Sequence, residues 1–98
     1  MNRYEFFIGF EYAASGERLQ TPDLCQTQMH RVLSDAFGAY TILDGKGYWE
    51  GIGERSQIVV VITDKPHSLA ETTAAKLREI FSQSCIGLAS SKVDFKLI

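Results

Sequence analysis

The run Gln57-Ile58-Val59-Val60-Val61-Ile62-Thr63 decides how this chain folds. It holds five consecutive β-branched apolar residues and is closed by the turn signal Asp64-Lys65-Pro66. Branching at Cβ crowds a helical backbone but packs well on a pleated surface, so the run reads as a strand. It does not alternate between apolar and polar, which means that both of its faces require cover. Such a strand belongs in the centre of its sheet.

Upstream, residues 3–12 supply a partner for it. Tyr4, Phe6, Ile8, Phe10 and Tyr12 alternate with Arg3, Glu5, Phe7, Gly9 and Glu11, giving a strand with one large aromatic face. Phe7 alone breaks the polar side. A loop over 13–17 leads to a helix start at Thr21-Pro22-Asp23. Thr21 can cap, Pro22 suits the first helical position, and Asp23 meets the positive end of the helix dipole. Cys25, Met29, Val32, Leu33, Ala36 and Phe37 then form one apolar stripe, and Gly38 is placed to end the helix.

Residues 39–43 read as a short strand. Residues 44–56 follow as a long glycine-rich hairpin connection into the central strand and carry the only tryptophan. Beyond Pro66, Ser68-Leu69-Ala70-Glu71 matches a capping box. The second helix then presents Leu69, Thr73, Leu77, Ile80, Phe81 and Ser84, and ends near 82–84. Residues 85–89 read as a short additional strand and Ser90-Ser91 as a turn. Val93, Phe95 and Leu97 alternate with Lys92, Asp94 and Lys96 in the last strand.

The order strand–helix–strand–strand–helix–strand is that of a ferredoxin-like βαββαβ sandwich. It places two helices on one face of a four-stranded antiparallel sheet, with the first and third strands as the central pair. The 98 residues form a single domain over 1–98. A 45% apolar and 22% charged composition is that of an ordinary globular chain. A net charge of −2 and scattered basic residues argue against nucleic acid as a partner. Arg3 and Glu5 interrupt the apolar core that a signal peptide needs, and no apolar run reaches membrane length, so a cytoplasmic location with no membrane partner is expected.

In this architecture the second sheet face has no helices, and it should be polar in a monomer. Phe7 points there, joined by Val59 and Val61 or by Ile58, Val60 and Ile62, depending on how the central strand is set. Covering each of these side chains is worth roughly 1.5–3 kcal/mol. Self-association into a dimer or trimer through Phe7, Val59 and Val61 is therefore expected.

Chemistry is sparse. Gly45-Lys46-Gly47 begins like a dinucleotide fingerprint, but Glu50 stands where the third glycine belongs, and no Ser or Thr follows Lys46 as a P-loop requires. The 44–56 segment does present Tyr48 and Trp49, with Lys46, Glu50 and Arg55 as further candidate contacts for a ligand or protein partner. Cys25 and His30 lie about 140° apart around one helix, which rules out joint metal ligation. No cofactor is implied. The acid–base candidates are Glu50 and Glu54 in the loop and Glu5 and Glu11 on the first strand.

Around Tyr40-Thr41-Ile42-Leu43-Asp44-Gly45-Lys46-Gly47-Tyr48 the chain resembles the PII-like group of trimeric ferredoxin-like signalling proteins, whose second strand ends in Gly-x-Gly before a long loop. It is also similar to small ferredoxin-like proteins with Gly-x-Trp ahead of Glu-x-Ser, here Gly47-Tyr48-Trp49 and Glu54-Arg55-Ser56. The resemblance implies the fold and not an activity. Residues 82–92 lack the family's second nucleotide-holding turn, so it does not imply a nucleotide. Two functions follow. The first is a non-enzymatic homo-oligomeric binding or regulatory module that uses the 44–56 loop. The alternative is a small enzyme of the dimeric α+β barrel type, with Glu5, Phe7 or Glu11 in a pocket on the open sheet face.

Overall fold

A computed structural model describes all 98 residues. The elements are β1 (Asn2–Gly9), α1 (Pro22–Phe37), β2 (Thr41–Trp49), β3 (Ile52–Thr63), α2 (His67–Ile80) and β4 (Gly87–Lys92). The strands form one antiparallel sheet in the order β2-β3-β1-β4, with both helices on the same face. This is the ferredoxin-like arrangement that the element order predicts. No helix is long and apolar enough to cross a membrane.

The register of β1 against β3 settles which residues meet the helices. Tyr4 lies opposite Val61 and Phe6 opposite Val59, so the aromatic face of β1 and these two valines share one side. Cys25, Met29 and Leu33 of α1 and Ala70 and Leu77 of α2 close over them, and Tyr4, Phe6, Val59 and Val61 are fully buried. Val59 and Val61 are therefore core residues and not part of an exposed interface. The open side of β3 carries Ile58, Val60 and Ile62 instead. The Tyr4 hydroxyl is satisfied by the Lys65 carbonyl at 2.9 Å, and the buried Thr73 hydroxyl by the Leu69 carbonyl at 2.8 Å.

Helix α1 starts at Pro22 and ends at Gly38, whose φ of 78° is readily adopted only by glycine. The Thr21 side chain makes no capping bond. In α2 the capping box does not form, because the helix begins at His67 with Pro66 before it, and Ser68 is already inside. Glu71 pairs with the His67 imidazole at 3.0 Å. The helix stops at Ile80, and Ser82, with φ of 52°, turns the chain away and leaves Ser84 exposed.

The glycine-rich segment is not a loop. Pairing of β2 with β3 continues from Thr41–Val60 to Trp49–Ile52, and only Glu50 and Gly51 form the turn. Both have positive φ, 50° and 81°, as a two-residue type I′ hairpin requires. Gly45-Lys46-Gly47 lies within β2 and opens no long loop of the PII kind. Asparagine tolerates this left-handed conformation better than glutamate. Glu50→Asn is therefore expected to raise the unfolding free energy by about 0.5–1 kcal/mol, read from urea denaturation; an unchanged or lower midpoint would contradict the turn assignment.

The fourth strand is Gly87–Lys92 and not the alternating segment at 93–97. The chain meets β1 soon after α2, when Leu88 comes opposite Phe6, and antiparallel pairing reaches Asn2 at Lys92. There β1 has no further residues to pair. Val93 makes one last bond to the Met1 carbonyl at 3.0 Å, and Phe95 and Leu97 remain exposed.

Candidate functional site

On the open face, successive cross-strand rows can be read from the register. Leu43, Ile58 and Phe7 form one row across β2, β3 and β1, followed on the β4 side by Gly87. Val60 and Ile62 extend the apolar area toward the start of β1. At the far end of the hairpin, Trp49 and Ile52 face each other across the turn. Phe7 is 44% exposed, Leu43 51%, Ile52 71% and Trp49 78%, so this face has no cover within the chain.

Between the Phe7 row and the Trp49–Ile52 pair lies a cleft of about 280 Å³. Gly9 and Gly47 keep its floor low, Phe7 and Trp49 give it aromatic walls, and Glu54 and Ser56 are its polar groups. Gly9 lets the Glu54 carboxylate lie close against the strand, since a Cβ there would displace it. Glu54 Oε2 accepts a hydrogen bond from the Tyr12 backbone N–H at 3.2 Å. This bond, together with the glycine, seats the carboxylate at the mouth of the cleft. An acceptor beside two aromatic walls can hold a planar apolar ring together with a positive charge, or accept a proton.

The residues expected to act together are divided between the two faces of the hairpin. Trp49 belongs to the open-face cleft, as does Phe7. Lys46 and Tyr48 project from the opposite side, with the ammonium 5.5 Å from the ring centroid. Arg55 also lies on that side, stacked 4.9 Å over Phe10, and Glu50 stands exposed at the turn. Glu5 is on the open face, paired with Arg3 at 3.1 Å. Glu11 accepts from the Arg55 backbone N–H at 2.9 Å and lies away from the cleft. The sequence reading missed Gly9 as a site residue; a glycine inside a strand of large side chains was its available signal.

The sequence matches no protein-family model and no curated protein. Among solved structures it is similar to a phage SAM lyase in its apo state, at 13% identity and TM-score 0.69, covering 92% of this chain and 78% of that one. It is similar also to a phage SAM lyase in complex with S-methyl-5′-thioadenosine, at 12% identity and TM-score 0.59, covering 93% and 80%. At such identities the likeness establishes a shared ferredoxin-like fold.

Proposed function

We propose that this protein self-associates through the open face of its sheet and binds an adenosine thioether or sulfonium, of the S-adenosylmethionine (SAM) class, in the Phe7–Trp49–Glu54 cleft. The observation that carries this reading is the cleft itself. Aromatic walls and one seated carboxylate stand at the end of an uncovered apolar face, so a second copy packed there would enclose it. Trp49 offers a stacking surface to a nucleobase, and Glu54 a counter-charge to a sulfonium or ammonium. The folds of the SAM lyase structures support the choice of ligand class. S-Methyl-5′-thioadenosine is what remains of SAM when the bond from sulfur to the amino-acid chain is cut. A carboxylate that a second copy would enclose beside a bound sulfonium makes turnover, and not binding alone, the function to test.

Calorimetric titration with SAM and with S-methyl-5′-thioadenosine tests binding, and chromatography after incubation with SAM tests release of the thioether. Loss of base stacking in Trp49→Ala is expected to weaken binding about ten- to a hundredfold. Gly9→Ala should weaken it also, by pushing the Glu54 carboxylate out of its seat while the fold persists. Glu54→Gln should affect SAM more than the uncharged thioether. Absence of binding to either compound at millimolar concentration, or wild-type affinity in Trp49→Ala, would refute the assignment.

A further inference from the structure

Residues 93–98 leave the sheet with the pattern of a strand and no strand beside them. Beyond the bond from Val93 to the Met1 carbonyl, no backbone hydrogen bond holds this segment, and Phe95 and Leu97 stand exposed. Asp94 and Lys96 are exposed too and make no ion pair within the chain. In β4, Gly87 and Ala89 lie opposite Phe7 and Glu5 and so belong to the open face. Continued alternation puts Val93, Phe95 and Leu97 on that same side, and Asp94 and Lys96 on the other.

The outer edge of β2 is unpaired as well. Its nine residues bond only to β3, and an edge of that length is a template for a further strand. Leu43, Gly45 and Gly47 are its open-face positions, and glycine inside a strand weakens it. Gly45 does not have a positive φ, and a Cβ added there would meet only Ser56 Oγ, at 3.6 Å. The chain's own fold therefore does not demand glycine at 45. A neighbouring strand carrying a large side chain gains the space, as aromatic residues do beside edge glycines.

When residues 93–98 are set antiparallel to β2 with Phe95 beside Gly45, both charges and the apolar side match. Asp94 comes opposite Lys46 and Lys96 opposite Asp44, while Val93 and Leu97 lie beside Gly47 and Leu43. No parallel setting matches both charges. One that pairs Asp94 with Lys46 puts Lys96 against Tyr48, and one that pairs Lys96 with Asp44 puts Asp94 against Ile42. The β4 edge offers a single charge, Lys92. Because β2 and β4 are at opposite edges of the sheet, the strand that fills the β2 edge comes from a second copy. We infer that residues 93–98 of one copy add as a fifth antiparallel strand to the outer edge of β2 in another. The contact belongs to the self-association proposed above, on which it rests, and joins edges where the other joins faces.

The test is charge reversal, read by light scattering over a concentration series. Asp94→Lys combined with Lys96→Asp sets like charges opposite each other at both pairs and should weaken association roughly tenfold. Asp44→Lys combined with Lys46→Asp should do the same. All four substitutions together should bring the dissociation constant back to within about threefold of the wild type, because each reversal then meets its complement. Phe95→Ser leaves the charges alone and should weaken association about tenfold. It carries the test if the combined variant does not fold. Wild-type affinity in Phe95→Ser or in the reversed 94/96 variant, or no recovery in a folded combined variant, overturns the inference. If Ile58→Lys still dissociates the protein in that event, the open-face contact stands and the edge contact fails. A native protein that is monomeric at micromolar concentration overturns both.

Discussion

Ile58→Lys is expected to abolish self-association while leaving the fold intact, raising the dissociation constant about a hundredfold or more. Ile58 is the middle of the apolar row, between Leu43 and Phe7. Its side chain is on the open face and half-buried between its neighbours, and a lysine there can extend its ammonium to water in the monomer. In an assembly that covers the face, the same ammonium would be buried without a partner, which is prohibitive. Light scattering after size exclusion, over a range of concentrations, reads the outcome directly. A native protein that remains an 11.0 kDa monomer at micromolar concentration, or a variant with the native mass distribution, would defeat the proposed assembly. If assembly stabilises the chain, the wild-type melting temperature should also rise with concentration and that of Ile58→Lys should not.

The neighbouring pair Phe6 and Phe7 provides the second large effect. Phe6→Ala should cost about 3–5 kcal/mol, because its ring is fully buried and the space it leaves is held open by surrounding elements. Those elements include Phe37 of α1, whose ring centroid lies 6.1 Å away, and Val59 directly across the sheet. For a domain of this size such a loss is a large part of the whole, about 5–15 kcal/mol. Phe7→Ala, one residue along and 44% exposed, should cost far less in the monomer. Urea denaturation of both in the Ile58→Lys background separates folding from association. Equal losses, or a larger one for Phe7, would mean that β1 presents the opposite face to the helices, because a one-residue slip exchanges the two sides of a strand.

Much of the fold is legible in residues close together in the chain. Alternation in β1, the Pro22 start and Gly38 stop of α1, and the β-branched run of β3 are each local, and their order implies the topology. The capping box at Ser68 misled because a four-residue motif says nothing of where the preceding turn delivers the chain. The segment at 93–97 misled for a related reason. Its alternation is a sound strand pattern, but β1 is already used up by Lys92.

The candidate sites were less legible. The 44–56 composition suggested a loop, since glycine is abundant in loops; on a hairpin, glycines also serve to let Glu54 and Ser56 lie against a low floor. Phe7 could be named from the sequence as an unusual aromatic on the open face, whereas the sequence left Trp49 either exposed or folded onto the sheet, and the structure places it 78% exposed. That Glu54 is seated by the Tyr12 amide depends on elements far apart in the chain.

By itself, then, the sequence determined the element types, their order and the aromatic side of β1, because these follow from side-chain periodicity and from turn residues acting on their own neighbours. Only the tertiary structure decided which side of the β3 run is core. Five β-branched residues in a row carry no period, so the choice between Val59 and Val61 on one side and Ile58, Val60 and Ile62 on the other was made by register against β1. The open-face cleft at the hairpin base arises from the same step, as pairing brings distant groups to one side of the sheet.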